Sequence, residues 1–203
     1  MTPTRRIVLF AGLLMATTAA TAWAQAPQSN IRGSIVGLEG HTLTVATREG
    51  STVKMILPDG FKPGALKRLS MSEIKPNSFV ASVATPQADG TLQASYVQVF
   101  PEALRGAGEG HYDWDLGPGT TMTNATVTSI VSATAGRKLT MVYKGTPIDI
   151  VVPETTPIIT GIPAELSDLK PGAKVFARGT KNADGSYNAV RVTVGKDGID
   201  PPQ

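Results

Sequence analysis

The stretches SEIKPNSFVASVATPQADGTLQASYVQV (Ser72–Val99) and SDLKPGAKVFARGTKNADGSYNAVRVTV (Ser167–Val194) align without a gap. They share the leading Ser, Lys-Pro, Val, Thr, Ala-Asp-Gly, Ala and two closing valines. Working outward, Pro58 and Pro153 keep the same spacing, as do Glu49-Gly50 and Lys144-Gly145. HTLTV at 41–45 resembles RKLTM at 137–141 with a one-residue slip. This pattern predicts an internal duplication, with unit 1 at 25–100, a connector at 101–123, unit 2 at 124–195 and a tail at 196–203. Two copies are too few for a solenoid, so each unit should bury its own core or share one with its twin.

Each unit reads as short strands. Ile31–Leu38 precedes the turn Glu39-Gly40, after which Leu43 and Val45 alternate with threonines; Val53, Met55 and Leu57 again follow period two. An irregular arm leads to Phe79–Ala84, the turn Gln87–Gly90 and Leu92–Phe100. Unit 2 repeats this with Val127–Ser132, Leu139–Tyr143, Ile148–Val152, Lys174–Arg178 and Tyr187–Val194. Asn77 and Gly172 stand where a type II turn needs positive φ, and Ser72 and Ser167 are placed to cap a helical turn just before it. In the last strand of each unit the apolar residues change parity, from Leu92 and Ala94 to Val97 and Val99, which predicts a bulge. The expected fold class is all-β: two tandem small antiparallel β-barrels, OB-like, related by the duplication.

The first residues read as an export signal. Arg5 and Arg6 precede the apolar run Ile7–Met15, and Ala22-Trp23-Ala24 offers a cleavage site. Cleavage near Ala24 would place the protein in the periplasm, with no membrane span left. The whole chain has 19 Lys+Arg and 16 Asp+Glu; without Arg5 and Arg6 the balance is 17 to 16. So balanced a charge gives no global attraction to nucleic acid or anionic lipid. Cysteine is absent, which excludes disulfides, thiolate metal sites and thiol catalysis.

The connector carries the chemistry. In EALRGAGEGHYDWDLGPGTTMTN, Glu109, His111, Asp113 and Asp115 share one parity, and Tyr112, Trp114 and Leu116 the other. Alternate side chains of an extended segment face opposite ways. One imidazole with three carboxylates suits zinc, manganese or calcium, with Glu102 or Met122 as further donors. The same alternation describes a strap whose apolar face seals the gap between barrels while its charges face water. Under either reading Tyr112, Trp114, Leu116, Thr120, Met122 and Asn124 are binding or interdomain packing residues. Trp114 is expected to be substantially buried.

The pattern G-x-I-V…HTLTV…REG-x-x-V…L-K-P-G…ADG-x-L-x-A, together with the connector, resembles an uncharacterised family of exported bacterial β-barrel domains, in a two-copy proteobacterial branch. Some of its members carry automatic labels naming metal-transport components. The resemblance implies a barrel fold and an exported location, and brings no activity with it.

No G-x-S-x-G, H-E-x-x-H, Walker or dinucleotide motif occurs. His41 sits at a hairpin turn. Asp113 and Asp115 could serve glycoside cleavage, but aromatics are only 5% of the chain, too few for a sugar cleft. The expectation is an exported binding or scaffold protein of the cell envelope that is not an enzyme and requires no cofactor. Its partner would be an envelope protein or small ligand rather than nucleic acid. The alternative is a periplasmic protein binding a divalent metal through the connector, and a third reading is a hydrolase of envelope carbohydrate.

Overall fold

Threonine and β-branched residues at period two set the local structure along most of the chain. The computed structural model describes residues 27–133 and 136–202; the export signal expected at 1–24 lies outside them. Thirteen strands form one continuous mixed sheet. They are β1 (Gln28–Glu39), β2 (Thr42–Thr47), β3 (Thr52–Ile56), β4 (Gly64–Leu69), β5 (Phe79–Pro86), β6 (Leu92–Val99) and β7 (Gly110–Asp113), followed by β8 (Thr121–Ala133), β9 (Gly136–Tyr143), β10 (Thr146–Val152), β11 (Ile158–Pro163), β12 (Lys174–Lys181) and β13 (Tyr187–Gly195). Short 3-10 turns are the only helical elements among the described residues, and no helix there is long and apolar enough to cross a membrane.

The pairings run between the two halves of the chain. β1 pairs β2, and on its other edge β12, with Ile31 opposite Ala177. β8 likewise pairs β9 and β5, with Asn124 opposite Ala81. Following the hydrogen bonds gives two circuits of five strands. One runs β3-β2-β1-β12-β13 and returns to β3 through Asn188↔Ile56. The other runs β10-β9-β8-β5-β6 and returns to β10 through Gln93↔Val151. Each circuit thus takes three strands from one half and two from the other. The aligned stretches offer almost the same apolar face to either partner, so the strand pattern does not say which copy a strand will pair with.

The expected irregular arms contain strands. β4 and β11 pair antiparallel at the centre, with Arg68 opposite Ile159, and join the circuits through β13 and β6. Their few alternating positions sit among Gly, Pro and Lys, which hid them from the period-two reading. The parity change has the expected cause. Ser95 and Val190 are the extra residues where the β5–β6 and β12–β13 registers shift, and Val36 and Thr128 mark similar shifts on β1 and β8. Asn77 has φ 69°, as the turn requires. The caps differ from expectation: Ser72 and Ser167 lie inside their 3-10 turns. The Glu73 and Asp168 carboxylates instead accept the N–H groups of Ser70 and Glu165.

Three apolar clusters fill the structure. Leu43, Val45, Met55 and Val192 belong to the first, inside one circuit; Val80, Leu139, Met141 and Ile150 belong to the second, inside the other. The third lies between them and includes Leu66, Val83, Tyr96, Met122 and Ile159. Ile199 joins it, so the C-terminal tail is packed, and Asp200 pairs with Arg48 at 2.8 Å.

Leu43 and Leu139 are fully buried in different circuits. Leu43→Ala and Leu139→Ala should each cost about 2–5 kcal/mol. Because both circuits draw strands from both halves, calorimetry should still show one cooperative transition, lowered as a whole by either change. Two separate transitions would contradict the exchanged pairing.

Candidate functional site

The connector is a strap laid across the third cluster. Glycines on either side let it turn, and one is constrained twice. Gly108 has φ +61°, and a Cβ there would come 2.9 Å from Asn124 Nδ2. That amide donates to the Ala107 carbonyl at 3.1 Å and to the Tyr112 hydroxyl at 3.3 Å. β7 then pairs with β8, placing His111 opposite Thr123 and Tyr112 opposite Met122. Past Asp113 the chain turns back, fixed by Trp114 N–H to the Thr120 carbonyl at 2.9 Å and by the Thr120 hydroxyl to the Trp114 carbonyl at 2.8 Å.

Glu109, His111, Asp113 and Asp115 are not brought together. The Glu109 carboxylate accepts the Lys144 N–H at 2.8 Å, fastening the β9–β10 turn. His111 Nδ1 lies 2.8 Å from Thr123 Oγ1, and its ring stacks on Tyr143. Asp113 is exposed at the strand end. Asp115 lies beyond the extended strand, where parity no longer applies, and goes to Arg32 and Asn30 instead. Among the described residues no group of three or more His, Asp or Glu is arranged to hold a metal ion. Glu102 pairs with Arg105, and Met122 is buried in the third cluster.

The apolar parity holds in part. Trp114 and Leu116 pack against the third cluster, whereas Tyr112 is 40% exposed, its ring edge-on to Trp114. Thr120 serves the turn, Met122 the core and Asn124 the strap's anchorage.

Beneath the strap lies a cavity of about 290 Å³, lined by Trp114, Tyr112, Asn124, Phe176, Arg178 and Arg191 among others. Here the electrostatics are unbalanced. Arg32, only 9% exposed, is held bidentately by Asp115 at 2.7 and 3.0 Å and lies over the Phe176 ring. Arg178 and Arg191 stand directly opposite each other on β12 and β13. Like charges in that position repel. Arg178 Nε donates to Asn30 Oδ1 and Arg191 Nε to Thr193 Oγ1, and neither arginine has an ion pair among the described residues. Arg191 is exposed along part of its side chain and Arg178 is half-buried; desolvation of the enclosed part and the like charge of Arg178 hold the Arg191 pKa below its ordinary value. Trp114 and Asn124 also line the cavity; their Nε1 and Oδ1 atoms are buried away from it without a hydrogen-bond partner among the described residues. Burial raises the Tyr112 phenol, with Arg178 opposing, so it stays neutral at pH 7.

Sequence reasoning missed Arg32, Arg178 and Arg191. A signal was present: Val83 and Tyr96 occupy the aligned positions in the first stretch, and they too pair across strands, buried and apolar. The second stretch has two cations where the first has Val83 and Tyr96. Comparison with protein-family models, curated proteins and solved structures finds no match.

Desolvation by itself would raise the Asp115 pKa, but hydrogen bonds from Arg32 and Asn30, with the Arg32 charge, outweigh it together and leave it lowered. The pair's contribution is therefore complete above the unfolded value near 3.9 and is lost as pH falls through the lower folded value. The carboxylate is half exposed, so Asp115→Asn should cost only about 1 kcal/mol at pH 7. It should also flatten the corresponding part of the Tm-against-pH curve below about pH 4. An unchanged acid limb would show that Asp115 is not held this way.

Proposed function

We propose that the protein is an exported, non-catalytic binding protein of the cell envelope, and that its binding site is the cavity beneath the strap. One observation carries this reading: Arg178 and Arg191, opposed across β12 and β13 with no ion pair among the described residues, both line the cavity, beside Trp114, Tyr112 and Asn124. A like-charge pair costs stability unless an opposite charge joins it, so a surface of this kind is suited to an anionic partner. The two strand circuits are read as two small closed barrels of the OB-like type, and the aligned stretches as the product of a duplication. In this reading the barrels act as walls and the strap as a roof.

The metal and hydrolase readings have less support. Glu109, His111 and Asp115 go to separate partners and Asp113 is exposed, and neither Asp113 nor Asp115 lines the cavity beneath the strap. His41 lies at the far hairpin, its Nδ1 3.1 Å from the Leu57 carbonyl.

Trp114 reports on the site directly. The protein purified gently from the periplasm should release a small molecule on denaturation, seen by mass spectrometry. Returning that molecule to the emptied protein should shift the Trp114 emission. Absence of any released molecule, together with an emission unmoved by the small-molecule fraction of a cell extract, would overturn the cavity reading. So would a stoichiometric response to zinc, manganese or calcium, which would return the function to the connector carboxylates.

A further inference from the structure

The cavity beneath the strap adjoins a larger one of about 510 Å³, since Phe100, Ala107 and Arg191 line both. The two chambers differ in chemistry. The smaller has Arg178, Arg191, Trp114 and Asn124 on its walls. The larger is lined mainly by apolar residues, among them Leu66, Leu104, Ile162 and Val190. Leu104 and Val190 are large side chains left half exposed at 50% and 52%. Val190 is the extra residue of the β13 bulge, directly before Arg191, so the same irregularity shapes both chambers. Gln98 also lines the larger chamber; it is 2% exposed and its Oε1 has no partner.

Resting on the proposed binding role, we infer that the ligand is an amphipathic organic anion: an acidic head held by Arg178 and Arg191, and an apolar body lying in the larger chamber. The guanidinium groups of Arg178 and Arg191 line this region, and that of Arg32 lies over the Phe176 ring beside it; Asp115 neutralises only Arg32. An acid head opposite Arg178 and Arg191 relieves their cross-strand repulsion and accepts charge-assisted hydrogen bonds from them. An inorganic anion alone would leave the apolar chamber empty, and a neutral lipid would leave the arginines opposed.

Decanoate below its micellar concentration, decanol and inorganic sulfate separate these demands. Titrated into the whole exported protein, decanoate should shift the Trp114 emission saturably, with decanol and sulfate each binding at least about tenfold more weakly. Arg178→Gln and Arg191→Gln should each weaken decanoate by about tenfold or more while leaving Tm unchanged or raised, because each change removes one of two repelling charges. Equal binding of decanol and decanoate would overturn the anion assignment. Equal binding of sulfate would overturn the apolar body, and undiminished binding by both variants would overturn the arginines' role. Should a variant fail to fold, the wild-type comparison of decanoate with decanol still decides. Silence towards decanoate while a neutral or cationic molecule from the extract moves Trp114 would overturn this inference and leave the cavity reading standing.

Discussion

The antiparallel pairings of β1 with β12 and of β5 with β8 are the constraint on which the rest depends. Each closes a circuit that neither half of the chain completes by itself. Backbone N–H and C=O groups must find partners when buried. Here the first half supplies three strands to one circuit and two to the other, and the second half supplies the complement. The exchange brings β4 against β11 at the centre and encloses the third cluster between the two circuits. That cluster is where the strap docks. Without the crossing, the strap would have no shared floor.

The same crossing makes the two halves inequivalent where it matters. At the centre of the β5–β6 ladder, Val83 faces Tyr96 and both are buried; at the aligned place in β12–β13, Arg178 faces Arg191. A like-charge pair costs stability unless an opposite charge joins it. Asp115, carried over by the strap, neutralises Arg32 alone. The strap thus roofs an electropositive hollow, and the Val190 bulge opens it towards an apolar chamber. In the proposed role this asymmetry is the functional difference between the halves.

Much of the fold was legible in the sequence. Period-two runs such as TLTV and KLTM marked strands, Asn77 and Gly172 marked turns, and the parity change in Leu92–Val99 marked a bulge. The β4 and β11 strands were hidden because their apolar residues do not alternate cleanly among Gly, Pro and basic residues and their partners are distant. The partner of each strand was hidden too, since two similar faces compete for it and chain order does not rank them. In the connector, parity reaches only to the end of β7 at Asp113, within which Tyr112 is exposed; beyond it Trp114 and Leu116 are partly buried against the third cluster and Asp115 goes to Arg32. Arg178 and Arg191 looked like ordinary polar positions; only the register shows that they oppose each other.

The exchanged pairing can be tested most directly by cross-linking a chain that has no cysteine of its own. Ser34 and Lys174 are register partners at the end of the β1–β12 ladder, with Lys174 Nζ donating to Ser34 Oγ at 3.0 Å. Ser34→Cys combined with Lys174→Cys should give a disulfide within one molecule under mild oxidation, in high yield, with the thermal transition raised. Free thiols persisting under the same conditions, or a bridge forming only between molecules, would contradict the pairing, and with it the floor on which the strap and its cavity rest.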